Sequence, residues 1–452
     1  MNRNRNSLLA CLAASSLAAA PSAQTGTLSA ERVEEVLGYL ASDALGGRDT
    51  PSRGLEEAAQ FLAWSFSRAG LSPGSSVGAS PDWFHRYTLP GQQVDSGGVE
   101  LRLVTAAGDE VVLEPGTDFR LWDAGRAFSV EGVPMTPEPE DADADPARVR
   151  RRMAAAAPTF VVTAPAHPAW RTADGPRTTL RRRGRGGAAP TILLRPGVTD
   201  GTETIAALRV PAPVEVDVPL RNVVGMLPGT DLAEEIVLVG AHYDHVGIRP
   251  RADGSDGIYN GADDDATGTT AVLLLAEHFA AQTERTRRTL VFVCFSAEEK
   301  GLQGSRAFAA EPPFALSRVA AMVNLEMLGR PEKEGPPFAW VTGKELSDFA
   351  TIAGPALGRA GVALTDFEMA SRLFSASDNL PFAQKGVVAH SISAGTLHSD
   401  YHQPGDEPSR IDVPHMTAVL AGLAEVVAEF ANRDQRPAYT PEAAQRLSGT
   451  DR

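Results

Sequence analysis

Cysteine is scarce: the chain has two in 452 residues. Cys11 lies in the N-terminal segment and Cys294 stands alone beyond it, so once the leader is removed no intrachain disulfide can form. Cys294 sits in Val291-Phe292-Val293-Cys294-Phe295, a buried-strand pattern that points to core packing rather than a nucleophile or ligand. Positive charge is also short, with 42 Lys+Arg against 57 Asp+Glu and a formal net charge of −15. A chain this acidic is a poor match for nucleic acid or an anionic membrane. The arginine runs at Arg148–Arg152 and Arg181–Arg185 are local exceptions that read as solvated surface. Beyond the N-terminus no apolar run reads as long enough to span a bilayer.

The first residues have the layout of a secretory signal. Arg3 and Arg5 form a positive start, Leu8 to Ala20 an apolar and small-residue stretch, and Pro21-Ser22-Ala23 a small-residue cleavage region. A segment 1–23 is therefore expected to be removed and the protein exported, to the periplasm or outside the cell. Its two arginines leave with it, making the mature chain more acidic still. Leu8-Leu9-Ala10-Cys11 resembles a lipobox, but too little apolar sequence precedes Cys11 for a lipid anchor. With the signal gone, no membrane partner is expected.

Residues 24–94 begin with helical patterns. Ser29 can cap a helix in which Val33, Val36, Leu37 and Leu40 recur at helical spacing. A Gly46-Gly47-Arg48-Asp49 break precedes a second helix carrying Ala58, Phe61, Leu62, Trp64 and Phe66. Residues 95–215 read as an inserted, smaller β-rich lobe. Its short runs Glu100–Val104, Glu110–Leu113, Thr159–Val162, Thr191–Leu194 and Val214–Val218 alternate with Pro, Gly and charge. The acidic, proline-rich stretch Thr136–Asp145 reads as a surface loop or linker. Residues 216–435 change character, and 436–452 are read as a C-terminal tail. Apolar strands at Ile236–Gly240, Thr289–Phe295 and Val319–Leu325, with a helix at Thr267–Ala281, predict an α/β fold. Its sheet should be mixed, mostly parallel and flanked by helices.

In such a sheet, ligands bind beyond the carboxyl ends of the strands, and there the acids and histidines fall. His242 follows the first strand directly, and Asp244 could return to hold its second ring nitrogen; a surface loop would also explain the pair. Asp263-Asp264-Asp265 open a helix, where the dipole and a divalent cation would offset their repulsion. A capped acidic loop or a calcium site are the other readings. Glu298-Glu299 follow the next strand; one could bind metal while the other acts as general base, although a lone pair of this kind is usually surface. Glu326 ends the third strand inside an apolar stretch, which calls for a metal or a salt bridge. His398 and His402 lie beside acids near Tyr401. Together, two His and three carboxylates, one of them shared, make a two-metal site. Mixed N/O donors without thiolate favour zinc.

The segments GAHYDH, NGADDDATG, SAEEKGL, NLEM and YHQPGD resemble the two-zinc aminopeptidase family of secreted bacterial enzymes over about 220–430. LASDALGGRDTPSRG extends the likeness weakly to 30–75. The family also holds glutamate carboxypeptidases, glutaminyl cyclases and the non-catalytic transferrin-receptor ectodomain. The resemblance implies a zinc-exopeptidase fold, peptide substrates and two Zn²⁺ ions. It implies His242, Asp264, Glu299, Glu326 and His402 as metal ligands, with Asp264 bridging and followed by a cis peptide. Glu298 would be the general base, Asp244 would stand behind His242, and Tyr401 would hydrogen-bond the oxyanion. Many relatives have Asp where Glu326 stands. His398 would line the pocket, and Asp378 in Ser377-Asp378-Asn379 would be structural or touch substrate. Relatives carry a protease-associated insert where 95–215 lies, without a clear signature of it here. Carboxypeptidase or dipeptidase specificity, a cyclase and a binding ectodomain are the alternatives; retention of His242 argues against the cyclase.

Overall fold

The computed structural model describes residues 28–78, 80–135, 158–180, 189–251, 255–331 and 335–448. The signal segment 1–23, the stretch Thr136–Asp145 and both arginine runs lie outside them.

The helical entry forms as its spacing predicts. Ser29 accepts from the Arg32 amide at 3.3 Å and opens helix Ala30–Leu40, whose Val33, Val36, Leu37 and Leu40 are all buried. Ser52 caps Arg53–Ala69 in the same way, and Gly70 ends it in the left-handed conformation at φ +88°. Both helices pack on Gly268–Ala281, where Leu273, Leu274 and Leu275 have no exposed surface. Each such leucine contributes about 1.5–3 kcal/mol by leaving water.

A ten-stranded mixed sheet forms the centre. Its order along the main path is Arg177–Leu180, Phe84–Val94, Val214–Leu227, Arg288–Phe295, Leu232–His242, Val319–Leu325, Ala389–Ser393, Phe338–Val341 and Ala363–Leu364. The four strands from Arg288–Phe295 to Ala389–Ser393 run parallel, and the flank of long strands beside them is antiparallel. Arg288–Phe295 and Val319–Leu325 are buried at every residue. Helices on both faces leave such strands no solvated side, so their polar residues fall at the ends. Cys294 lies in this core, and burial raises its thiol pKa.

Two small sheets lie within 95–215. One pairs Glu110–Leu113, Glu100–Val104, Thr204–Val210 and Phe128–Val130 antiparallel; the other joins Thr159–Val162, Thr191–Leu194 and Phe119–Asp123. They enclose a core of their own around Leu101, Phe119, Phe160, Ile192 and Leu208. Arg177–Leu180 leaves this region to pair with Phe84–Val94 on the central sheet.

Two elements differ from the sequence reading. Helix Val413–Asn432 is long and apolar enough to cross a membrane by length and composition, yet it packs on Phe349–Arg359 and buries Val419, Leu420, Leu423 and Val427 in the core. The segment read as a tail forms helix Pro441–Ser448, with Ala443 and Leu447 buried. Tyr439 just before it takes the Ala389 amide at 3.1 Å, which ties the segment to the sheet.

Candidate metal centre

The carboxyl ends of the parallel strands converge on one cluster. His242 is the last residue of its strand, Glu298-Glu299 follow Phe295, and Glu326 follows Leu325 directly. Asp264 lies in the turn before helix Gly268–Ala281, and its bond to Asp265 is cis. Several neighbours hold the left-handed backbone: Ala297 at φ +58°, Met327 at +50° and His402 itself at +55°. Non-glycine residues in this region are uncommon and gather where side chains must be aimed.

Asp264 faces two ways. Its Oδ1 lies 3.2 Å from His242 Nε2, which is also 3.2 Å from Glu326 Oε1. Its Oδ2 lies 2.9 Å from His402 Nε2, which is 3.0 Å from Glu299 Oε1. Asp264 Oδ2 and Glu299 Oε1 are buried and make no hydrogen bond despite these approaches. Donor atoms crowded together without N–H groups aimed between them are the arrangement a cation would satisfy. The donors are imidazole nitrogen and carboxylate oxygen, a set that suits zinc.

Asp265 also comes within ligand range of His242 and Glu326. Its oxygens, however, already accept from the amides of His242, Gly268 and Met327 at 3.3, 3.0 and 3.2 Å. It therefore ties three site segments together.

Around this cluster the supports are specific. Asp244 does not hold His242 through its carboxylate as the sequence predicted. The ring Nδ1 donates instead to the Asp244 main-chain carbonyl at 3.0 Å, and the carboxylate is 3.8 Å away. That carboxylate is engaged elsewhere, by the Glu298 amide and the Thr50 hydroxyl, each at 3.0 Å. Asp244 thus anchors the turn that presents Glu298. The Ser377 hydroxyl donates to Glu326 Oε2, so the loop read as lying near the site does reach it. Asp378 is fully buried, and burial pushes its carboxyl up to about 7. His398 lies beside Asp263 at 3.4 Å, apart from the two donor groups.

The charges divide the acids by task. Burial opposes ionisation of Asp264, but the His242 and His402 imidazoles outweigh it and hold the carboxyl well below its ordinary value. Glu299 is drawn down to about 2, with His245 and His402 overcoming burial and the repulsion of Asp264. Glu298 goes the other way: burial raises it, opposed by His242 and reinforced by Glu326, Asp378 and Glu299. The surroundings thus favour the charged form of Asp264 and Glu299 and disfavour that of Glu298.

Residues 222–427 match the family model described as Peptidase family M28. The match covers just under half of the chain. Among curated proteins, the chain is 28% identical over 224 residues to endoplasmic reticulum metallopeptidase 1 of Mus musculus, covering 48% of this chain and 23% of that one. It is 36% identical over 117 residues to a probable zinc metalloprotease of Pyrenophora teres f. teres, covering 26% and 24%. The chain thus spans about a quarter of the length of these relatives. Among solved structures, an aminopeptidase from Aneurinibacillus sp. strain AM-1 superposes with a TM-score of 0.51 at 17% identity, over 91% of this chain and 96% of that one. A zinc aminopeptidase from Bacillus subtilis gives 0.52 at 16%, over 90% and 96%. At such identities the likeness is one of fold, and it extends beyond residues 222–427 to nearly the whole chain.

Three residues that hold or join this cluster were quoted in the motifs without a role. Arg48 is wholly buried, and its guanidinium donates to the carbonyls of Leu40, Tyr243, Asn260 and Gly261, binding both metal-site loops to the N-terminal segment. Burial lowers its pKa to about 10, against the pull of surrounding acids. Asp406 accepts the amides of Asp263 and Asp264 at 3.0 and 3.1 Å and so sets the turn that aims Asp264. His245, at the end of GAHYDH, reaches the donor cluster itself, with Nδ1 2.9 Å from Glu299 Oε1.

Proposed function

We propose that the chain is a two-zinc exopeptidase, releasing residues from the amino end of peptides. The observation that carries this reading is the carboxylate of Asp264, one oxygen turned to His242 and Glu326 and the other to Glu299 and His402. Those five residues would hold two ions, with Asp264 common to both. The M28 match supports peptide hydrolysis. The acid-rich surroundings of Glu298 and Glu326 suit a substrate's free ammonium group, and both superposed structures are of aminopeptidases. Export rests on the leader at residues 1–23 alone.

When bound, the ions would supply Lewis acidity to the scissile carbonyl and to the attacking water. Glu298, whose Oε2 lies 4.0 Å from His242 Nε2, takes a proton from that water. It returns the proton to the amine nitrogen as the C–N bond breaks. Asp244 holds the Glu298 amide and so keeps this carboxyl in position. Tyr401 stacks on His402 with ring centroids 4.0 Å apart and is 38% exposed, at the rim where a substrate would enter. Its hydroxyl donates to the developing oxyanion.

The test is Glu298→Gln, assayed on free and N-blocked peptides with chelator controls. The variant is expected to keep its zinc, measured by elemental analysis, while kcat falls by about 10²–10⁴-fold. Near-wild-type turnover would remove Glu298 from the role of base. Cleavage of blocked peptides from the carboxyl end would replace the aminopeptidase reading with a carboxypeptidase one.

A further inference from the structure

GAHYDH contains a second histidine, and the two-ion reading above leaves it idle. His245 follows His242 by three residues and is fully buried, yet neither ring nitrogen has a hydrogen-bond partner. Its amide donates to the Arg48 carbonyl at 3.2 Å, which fixes the backbone beneath the cluster. Its Nδ1 lies 2.9 Å from Glu299 Oε1 and 3.7 Å from Asp264 Oδ2. Its ring meets the edge of His402 at 72°, centroids 5.5 Å apart. Space for the ring comes from Gly261, where an added Cβ would fall 2.3 Å from His245 Cγ.

A buried imidazole without a hydrogen-bond partner is costly, so the ring needs an explanation. A hydrogen bond to Glu299 would supply one, but the 2.9 Å approach lacks the geometry for it. The alternative is that both atoms aim at a common point. His245 Nδ1, Asp264 Oδ2, Glu299 Oε1 and His402 Nε2 form one group of mutually close donors. The four contacts among them are 2.9, 2.9, 3.0 and 3.7 Å. A tetrahedral zinc with bonds near 2.0–2.1 Å has donors about 3.3 Å apart.

We infer that His245 is a metal ligand. This rests on the two-ion reading and deepens it: one ion gains a closed set of four protein donors, His245, Asp264, Glu299 and His402. The other, on His242, Asp264 and Glu326, keeps an open position. A closed site is the mark of a firmly held ion, and an open one of an ion that meets substrate. The two positions therefore differ in affinity, and His245 makes the difference.

The experiment measures Zn²⁺ affinity of the full chain by competition with a chromophoric chelator, together with the visible spectrum of Co²⁺-loaded protein. Wild type should bind two ions, one at least about tenfold tighter. His245→Ala should weaken only the tighter site, by more than the roughly 10–100-fold that loss of an outer hydrogen-bonding partner costs. It should also change the Co²⁺ absorption of that site. His245→Asn, able to hydrogen-bond Glu299 but a poor ligand, should resemble the alanine variant; wild-type affinity in the asparagine protein would make His245 a positioning residue and overturn the assignment. So would two ions held with wild-type affinity in both variants, which leaves the two-ion reading intact. A wild-type chain that binds no divalent ion would instead defeat that reading itself. Circular dichroism of each apo variant, matching wild type, shows that folding is not what changed.

Discussion

The central sheet and the two small sheets of 95–215 are both built from strands with apolar cores, yet among the described residues only the central sheet gathers the donor cluster. In the central sheet, Arg288–Phe295 and Val319–Leu325 are covered on both faces, and their charged residues are displaced to the strand ends. Parallel neighbours align those ends, so Glu298, Glu299 and Glu326 arrive beside His242. The small sheets mix orientations and alternate buried with half-exposed residues, as in Glu100–Val104. Their charges are spread as surface pairs such as Arg209 with Glu100 and Glu131. The difference lies in layering, in strand direction and in the charged residues carried inside the small-sheet strands.

The sharpest way to break this contrast is at the shared carboxylate. Asp264→Ala should lose both ions by elemental analysis, and its activity should fall to that of chelator-treated wild type. Loss of a single ion would mean that the two donor groups are independent. Next in size is Arg48→Met, which leaves four buried carbonyls without a donor. It should destabilise the fold by roughly 3–5 kcal/mol in urea titration and weaken metal binding with it. An unchanged midpoint would show that water or a shifted backbone takes over those carbonyls. Smallest at the site is Leu208→Ala, in the core of the small sheets. It should cost about 2–5 kcal/mol locally while metal content stays at wild type. Reduced metal content would mean that the two regions are energetically one.

Much of the metal centre could be read from the chain because its donors sit one to four residues past apolar runs. His242, Glu299 and Glu326 are legible in that way, and the catalytic motifs gave the rest by resemblance. Arg48 was invisible for a physical reason: three of its acceptors lie 195, 212 and 213 residues away, and nothing in Gly46-Gly47-Arg48-Asp49 encodes them. Asp244 was misread in detail because spacing cannot tell a side-chain oxygen from the carbonyl of the same residue. His245 was hidden by its neighbour, which already satisfied the motif. In 95–215 the strands Glu100–Val104, Glu110–Leu113, Thr159–Val162 and Thr191–Leu194 could be read, whereas Phe119–Asp123, Phe128–Val130 and Thr204–Val210 were not, Val214–Val218 proved part of the central sheet, and the crossing of Arg177–Leu180 to that sheet leaves no local periodicity.

Strand Val214–Leu227 follows the small-sheet strand Thr204–Val210 in the chain and lies wholly in the central sheet. It pairs with Phe84–Val94 along ten residues and then with Arg288–Phe295 along five. At its middle, the buried Asn222 accepts the Ser296 amide at 3.0 Å and donates to the Gly304 carbonyl at 2.9 Å, gripping both ends of the segment that carries Glu298 and Glu299. The strand thus leads the chain out of the small sheets and holds the segment that presents Glu298 and Glu299. Its grip falls at Ser296, two residues before Glu298, so Asn222 sets where that turn leaves the sheet.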